Sequence, residues 1–177
     1  MKISLKDPKK YKKNTIVLIG HMGSGKSIIG RKLAKILNWE HFDSDKEIEK
    51  KEDKTIAQIF ATHNEKYFRR NEEIIVNELI RKKYSVISLG GGAILSKKTR
   101  FQIKKKCISI FLKVDIEILL KRLNKSKKRP LLLNTNIKNK IISLNSERLK
   151  YYNEADIIIN NKESINKALK DIIKILE

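Results

Sequence analysis

One stretch, Thr15-Ile-Val-Leu-Ile-Gly-His-Met-Gly-Ser-Gly-Lys-Ser27, decides the fold. Its first five residues are aliphatic or β-branched, which predicts a buried strand that ends at Gly20. The eight residues from Gly20 to Ser27 match the pattern G-x-x-x-x-G-K-[S/T] at every fixed position. A helix is predicted to follow, because apolar residues recur on one helical face at Ile29, Leu33, Ile36 and Leu37. A strand, a glycine-rich loop and a helix in this order predict a site for a nucleoside triphosphate.

The residues of this loop have separate predicted roles. Glycines allow the backbone N–H groups to surround a phosphate without side-chain clashes, and the helix N-terminus adds a partial positive charge. Lys26 is predicted to reach the β- and γ-phosphate oxygens, and the Ser27 hydroxyl is predicted to ligate Mg²⁺. The predicted ATP-binding residues of the loop are Gly23, Ser24, Gly25, Lys26, Ser27 and Ile28.

Beyond the loop, short apolar runs alternate with longer amphipathic stretches. Strands are predicted at residues 15–19, 39–42, 84–89, 108–113 and 156–160. Helical stripes are formed by Ile116, Leu119, Leu120 and Leu123, and by Ile165, Leu169, Ile172, Ile173 and Leu176. Nearly continuous apolar strands separated by helices indicate a parallel sheet that is covered on both faces. The predicted fold class is α/β: a three-layer α/β/α arrangement around a central five-stranded parallel sheet, in a single domain of residues 1–177.

The charge of the chain raises a competing hypothesis. Its 177 residues include 41 basic and 20 acidic ones, a formal net charge of +21. Such a charge is typical of nucleic-acid-binding proteins, and this class stays open as an alternative. However, 33 of the basic residues are Lys and 8 are Arg, whereas recognition of phosphates and base edges depends on Arg. We therefore interpret most of the lysines as a solvated surface, with no nucleic acid as partner.

Two segments depart from the alternating pattern. Residues 1–13 form a basic N-terminal extension, and residues 124–137 lack periodicity and are interpreted as a lid. No run approaches 18 apolar residues, so neither a membrane span nor a membrane partner is predicted. The one cysteine, Cys107, lies in an apolar run and is interpreted as a buried residue of a protein in a reducing, cytoplasmic compartment.

Two carboxylates, Asp43 and Asp45, follow the predicted strand at 39–42. The end of a parallel strand lies at the sheet edge where α/β proteins bind ligands. Asp43 is predicted to hold Mg²⁺ through a water molecule, and Asp45 to face an acceptor hydroxyl. The alternative interpretation is a helix N-cap formed by Ser44 or Asp45. The small size of the chain and the lack of a guanine-binding Asn-Lys-x-Asp motif favour a kinase of a small molecule.

Further motifs along the chain are more specific than the phosphate loop. They are Ile56-Ala-Gln-Ile-Phe60, Arg69-Arg-Asn-Glu72 with Val76, Val86-Ile-Ser-Leu-Gly-Gly-Gly92, Arg129-Pro-Leu-Leu132 and Arg148-x-x-x-Tyr152-x-x-Ala155-Asp156. In their order and spacing the chain resembles the shikimate kinase family over nearly all of residues 15–177. The resemblance implies a P-loop kinase fold of the nucleoside monophosphate kinase type. It also implies transfer of the γ-phosphoryl of ATP to the 3-hydroxyl of shikimate, in chorismate biosynthesis, by a monomer with Mg²⁺ as cofactor.

The resemblance also implies the roles of individual residues. Shikimate would be bound by Asp45, Arg69, Gly90, Gly91, Gly92 and Arg148, in part within a substrate-binding region at about 33–62. Arg122 would stack on adenine, and Arg129 would close with the lid over the phosphates. Lys26, Asp45 and Arg129 would be the catalytic residues. Glu72, three residues after Arg69, is predicted to hold it from the same helix face. A P-loop kinase of another hydroxylated acceptor, such as gluconate, remains the alternative within this class.

The chain departs from the family pattern before Arg69. The family often has Gly-Glu where this chain has Asn64-Glu65. Because Asn tolerates the left-handed backbone conformation that Gly supplies, the turn is predicted to survive.

Overall fold

The computed structural model describes residues 13–124 and 137–177 of the 177-residue chain. Most of the N-terminal extension and of the proposed lid, including Arg129, therefore lies outside the described residues. The elements in chain order are β1 (Thr15–Ile19), α1 (Lys26–Leu37), β2 (Glu40–Asp43), α2 (Ser44–Glu52), α3 (Ile56–Thr62), α4 (Glu65–Leu79), β3 (Ser85–Ser88), a 3-10 helix (Ala93–Leu95), α5 (Lys97–Lys106), β4 (Ile108–Lys113), α6 (Ile116–Asn124), α7 (Ile137–Tyr152), β5 (Ile157–Asn160) and α8 (Ile165–Leu176).

The five strands form one parallel sheet in the order β2-β3-β1-β4-β5. Strand β1 lies at its centre, where Val17 is in register with Ile87 on β3 and with Ser109 on β4. All five residues of β1 are buried, as expected for a central strand with helices on both faces. The prediction of a five-stranded parallel sheet is confirmed.

The hydrophobic core lies on both faces of the sheet, because successive strand residues point to opposite sides. Val17 and Ile19 of β1 pack with residues of α2, α3, α4, α5 and α7. Ile16 and Leu18 pack on the other face with residues of α1 and α8. A smaller cluster of Leu119, Leu123 and Ile141 joins α6 to α7, with Met22 of the phosphate loop packed against it. This three-layer packing agrees with the predicted fold class.

Three predicted strands begin one residue too early, because β2 begins at Glu40, β3 at Ser85 and β5 at Ile157. The predicted ends of β2 and β3 are also displaced by one residue. Tyr84 has a φ of 54°, in the left-handed region, and its N–H donates to the Asn14 carbonyl at 2.6 Å, so β3 begins at Ser85. Asp156 precedes β5, and its carboxylate accepts hydrogen bonds from the N–H and hydroxyl of Ser109, both at 2.8 Å. Tyr84 is excluded from the strand by its left-handed backbone. Asp156 is excluded because its side chain takes the Ser109 N–H.

The direction of the strands positions the functional residues. Because all strands are parallel, the residues that follow β1, β2 and β3 meet at one edge of the sheet. These residues are the phosphate loop after Ile19, the Asp43–Asp45 turn and the glycines after Ser88. None of the helices in the described residues has the length and apolar character needed to cross a membrane.

Candidate active site

The phosphate loop joins β1 to the N-terminus of α1. Gly25 caps the helix with a φ of 94°, and Gly23 has a φ of 78°, a region that L-residues with a Cβ rarely adopt. The Lys26 ammonium donates to the carbonyls of Gly20 and His21, each at 2.8 Å. The lysine side chain is thus held against the start of the loop. Backbone hydrogen bonds close the loop further, from the Ser24 N–H to the His21 carbonyl and from the Ile28 N–H to the Gly25 carbonyl, each at 3.1 Å.

One cavity brings most of the predicted ATP residues together with two of the predicted acceptor residues, Asp45 and Gly91. It has a volume of about 540 Å³ and is lined by Met22, Gly23, Gly25, Lys26, Ser27, Ile28, Asp43, Asp45, Leu89, Gly91, Arg122, Glu163, Ser164 and Ile165. Arg69 and Gly92 line a separate cavity. Ser24 is fully buried rather than lining the cavity, and its carbonyl accepts from the Asn161 side chain at 2.8 Å. Asn161, the residue that follows β5, therefore holds the phosphate loop on the side that faces away from the cavity.

Arg122 lies on α6 at the rim of this cavity. Its guanidinium donates to the carbonyl of Gly23 at 3.4 Å and to that of Asn161 at 3.2 Å. The arginine consequently bridges the phosphate loop and the segment between β5 and α8. That segment also contributes Ser164 and Ile165, which the sequence analysis missed. Their signal was the position of Asn161 directly after a parallel strand, at the ligand-binding edge of the sheet.

Ser27 and Asp43 form the closest polar contact between the phosphate loop and β2. The Ser27 hydroxyl donates to one carboxylate oxygen of Asp43 at 2.5 Å. The other oxygen of Asp43 accepts from the Asp45 N–H at 3.2 Å and caps α2. The alternative of an N-cap at Ser44 or Asp45 is therefore wrong, because the cap is Asp43 itself. A cap uses only one carboxylate oxygen, which leaves the other for the phosphate-loop side.

Asp45 is half-buried among other charged groups. Desolvation raises its pKa from its ordinary value of 3.8 to about 6, and the negative charges of Asp43 and Glu72 add to this effect. Lys26 acts in the opposite direction. A carboxylate with a pKa near 6 is still mainly ionised at neutral pH, but it accepts a proton more readily than an ordinary aspartate.

The three consecutive glycines after β3 each lie against a different predicted side chain. A Cβ on Gly90 would overlap an Asp45 carboxylate oxygen, and one on Gly92 would overlap the Arg69 guanidinium. A Cβ on Gly91 would lie 3.4 Å from Nη1 of Arg148 and 3.6 Å from the Gly20 carbonyl oxygen. The glycines therefore bring one carboxylate and two guanidinium groups together beside the phosphate loop.

Arg69 is held on α4 by two glutamates. Its Nη1 donates to Glu72 at 2.7 Å and its Nη2 to Glu65 at 3.1 Å, so the predicted pairing with Glu72 is confirmed. Desolvation lowers the pKa of Arg69, but the two glutamates outweigh it and the net pKa is raised. Burial raises the pKa of Glu72, which is only 3% exposed, against the opposing effect of Arg69. The arginine is therefore charged and fixed in position.

The start of α4 corrects the prediction for Asn64. The backbone of Asn64 is extended, with φ −84° and ψ 169°, rather than left-handed. Its side-chain oxygen accepts from the Tyr67 N–H at 2.9 Å and caps the helix. Asn is tolerated at this position because it is a preferred N-cap residue, a role that needs its side chain.

Arg148 lies on α7 and is 6% exposed. Within residues 13–124 and 137–177, its Nε atom has no hydrogen-bond partner, and the nearest carboxylate oxygen, on Glu147, is 3.6 Å away. A buried guanidinium with unused hydrogen-bonding capacity is costly unless an anion pairs with it. This side chain is therefore suited to bind an anionic group of a ligand beside Gly91.

A phosphate loop at the end of a central parallel strand, facing a second pocket of acidic and basic side chains, defines a P-loop kinase of a small acceptor. A family model described as shikimate kinase matches residues 22–177. A shikimate kinase 1 of Hamiltonella defensa is 44% identical over 168 residues, covering 93% of this chain and 97% of that protein. A shikimate kinase of Bartonella quintana is 39% identical over 163 residues, covering 92% and 78%.

The solved structures agree with these relatives. The shikimate kinase of Acinetobacter baumannii in complex with shikimate superposes with a TM-score of 0.88 at 36% identity, covering 93% of each chain. The chain belongs to the shikimate kinase family, and it is an ATP-dependent kinase.

Proposed function

We propose that this protein transfers the γ-phosphoryl group of ATP to the 3-hydroxyl of shikimate, giving shikimate 3-phosphate and ADP on the route to chorismate. The observation that carries the proposal is the convergence of Asp45, Arg148 and Arg69 on three consecutive glycines beside the phosphate loop. Shikimate has one carboxylate and three ring hydroxyls, so it requires cationic and anionic groups on different sides of one pocket. This arrangement of charges supports shikimate over an uncharged or doubly anionic acceptor.

On the acceptor side, Arg69 and Arg148 bind the carboxylate, since guanidinium groups form paired, charge-assisted hydrogen bonds with it. Asp45 accepts hydrogen bonds from the ring hydroxyls and takes the proton of the attacking one. Its raised pKa supports this role. Gly90, Gly91 and Gly92 allow the ring to approach the backbone, because a side chain there would fill the space between the charged groups.

On the nucleotide side, the phosphates bind in the loop formed by Gly23, Ser24, Gly25, Lys26, Ser27 and Ile28, where the N-terminus of α1 adds its partial positive charge. Lys26 stabilises the charge that develops on the transferred phosphoryl group. Arg122, at the rim of the cavity, stacks on the adenine. Arg129 closes over the phosphates with a lid at about 124–137 and excludes water from the reaction. This last role comes from its motif, because the arginine lies outside the described residues.

The oxygens of Ser27 and Asp43 fit a Mg²⁺ site. A hydroxyl and a carboxylate 2.5 Å apart provide the hard oxygen ligands that Mg²⁺ prefers. We propose that Ser27 ligates the ion directly and that Asp43 holds it through a water molecule. When bound, Mg²⁺ would neutralise part of the charge on the phosphates of ATP.

We also propose that the whole chain is one catalytic domain, with its acceptor-binding region at about 33–62, and that it acts as a monomer. The use of ATP and the buried, unpaired thiol of Cys107 support a cytoplasmic location. We propose no nucleic-acid partner, because the arginines with assigned roles surround the two small-molecule pockets.

A coupled ADP-release assay tests the function. We expect turnover that requires both shikimate and Mg²⁺, with no turnover of gluconate or nucleoside monophosphates. Lys26→Ala and Arg148→Ala should be nearly inactive, whereas the control Lys35→Ala, at an exposed position late in α1, should match the wild type. ATP consumption that is independent of shikimate would refute the proposal, and turnover of gluconate would favour the alternative acceptor. Tight, salt-dependent binding of duplex DNA at physiological salt would restore the nucleic-acid hypothesis.

A further inference from the structure

Two buried hydroxyl groups hold the backbone of the triple-glycine loop. The Ser44 hydroxyl accepts a hydrogen bond from the Gly90 N–H at 2.8 Å. The Tyr152 hydroxyl donates to the Gly91 carbonyl at 2.6 Å. Ser44 is fully buried and Tyr152 is 1% exposed, so water does not compete for either bond. The two side chains come from different helices, α2 and α7, and hold neighbouring residues of the loop.

Both hydroxyls are themselves fixed by the surrounding structure. Ser44 is the first residue of α2, directly after the Asp43 cap. The ring of Tyr152 stacks on Phe111, with centroids 5.0 Å apart, and meets the edge of His21 at 5.2 Å. Desolvation raises the pKa of the Tyr152 hydroxyl to about 12, against the opposing charge and hydrogen bond of Arg148, so the hydroxyl stays protonated and can donate. Each hydroxyl therefore acts as a rigid support rather than as a mobile surface group.

A run of three glycines needs such support. Glycine has the largest backbone freedom of any residue, and the loop has no side chains of its own to pack. The loop must nevertheless keep Gly90 against Asp45 and Gly91 against Arg148. The two hydroxyl hydrogen bonds restrict the backbone at these two positions.

We propose that Ser44 and Tyr152 are positioning residues, which fix the backbone of Gly90 and Gly91 and thereby set the shape of the acceptor pocket between Asp45 and Arg148. The inference rests on the proposed acceptor site, but it concerns residues that do not themselves bind the acceptor. Ser44 acts through the backbone alone, whereas the Tyr152 hydroxyl is also hydrogen-bonded to the Arg148 side chain, so Ser44→Ala is the variant that isolates the backbone effect. Without either hydroxyl the loop populates other conformations. The apparent affinity for the acceptor then falls in proportion to the fraction of molecules with the correct loop.

The test compares Ser44→Ala and Tyr152→Phe with two matched controls. Ser85→Ala removes a buried serine hydroxyl that donates to the Lys82 carbonyl at 2.9 Å, at the opposite end of β3. Tyr151→Phe removes the hydroxyl of the neighbouring tyrosine and keeps its ring. We expect Ser44→Ala and Tyr152→Phe to raise the KM and Kd for shikimate about tenfold, the scale of one buried hydrogen bond. The KM for ATP should change less than about twofold in all four variants, and the controls should match the wild type.

Amide hydrogen exchange gives a readout that does not depend on turnover. In Ser44→Ala the Gly90 amide should lose protection, whereas Ser85→Ala should leave it unchanged. Equal increases of the KM for ATP and for shikimate, or variants that match their controls, would overturn the inference. Unchanged protection of Gly90 in Ser44→Ala would overturn it as well. A wild-type protein without shikimate-dependent turnover would instead refute the proposed function, and the exchange result would still decide the role of Ser44 in the loop.

Discussion

Gly92→Ala isolates the contact between the triple-glycine loop and Arg69. Gly92 has φ −94° and ψ −14°, a conformation that any L-residue adopts, so the substitution introduces no backbone strain. The added methyl group would overlap the Arg69 guanidinium. Arg69 must move, and its hydrogen bonds to Glu72 at 2.7 Å and to the acceptor carboxylate weaken together. The displaced group is the flexible end of a side chain, so the fold itself should survive.

The size of the effect follows from the bonds that are lost. A hydrogen bond to a charged group contributes about 1.5–3 kcal/mol, so loss of one such bond to the acceptor should lower kcat/KM for shikimate about 10- to 100-fold. Glu72, 3% exposed, would be left without its closest cation. The free energy of unfolding should therefore fall by about 1–3 kcal/mol. The lower backbone entropy of the unfolded Ala variant offsets about 0.4–1 kcal/mol of this loss.

Steady-state kinetics and thermal unfolding measure both effects, and a double-mutant cycle tests the cause. If the methyl group acts by displacing Arg69, adding Gly92→Ala to Arg69→Ala should cause no further loss of kcat/KM for shikimate. The KM for ATP should not change. A further tenfold loss in the double variant would show that the methyl group blocks the acceptor directly and would refute the reasoning.

Three more predictions concern titratable groups. The pKa of Asp45 is about 6 in the folded state instead of 3.8, so the free energy of unfolding falls as the pH rises from about 4 to 6. In urea unfolding, Asp45→Asn should therefore be inactive yet more stable above pH 6, by at most about 3 kcal/mol, and equally stable below pH 4. Burial lowers the pKa of His21 from 6.5 to about 4, so stability should fall as the pH drops through this range, and less so in His21→Gln. Burial raises the pKa of Cys107 to about 12, so a thiol reagent should modify the native protein on the order of a hundredfold more slowly than the unfolded chain.

The pattern of apolar residues was enough to predict the sheet, because each strand is a short apolar run in the sequence. β1 and β4 are runs of apolar residues that end at the predicted positions. The starts of β3 and β5 were misplaced because Tyr84 and Asp156 are held by tertiary hydrogen bonds to Asn14 and Ser109. A local pattern contains no information about a partner that is 47 or 70 residues away.

The site, too, has features that the sequence predicted and features that it did not. The pairing of Arg69 with Glu72 was predictable, since residues three apart on a helix are neighbours. The cap at Asp43 was assigned to the wrong residue, because only the folded chain shows which oxygen faces Ser27 and which faces the helix. Ile165 was missed because an apolar residue on a helical stripe is normally a core residue, and its place at the cavity depends on how α8 meets the phosphate loop.

The sequence by itself determined the phosphate loop, the parallel sheet and the family, since each is encoded in contiguous residues and fixed spacings. Only the tertiary structure decided that Asp45, Arg148 and Arg69 lie against the same triple-glycine loop. It also decided that Ser44 and Tyr152 hold the backbone of this loop. It also decided the raised pKa of Asp45, which depends on desolvation and on charges from β2 and α4. The physical reason is that burial and electrostatic coupling depend on neighbours in three dimensions, and these neighbours lie on different elements of the chain.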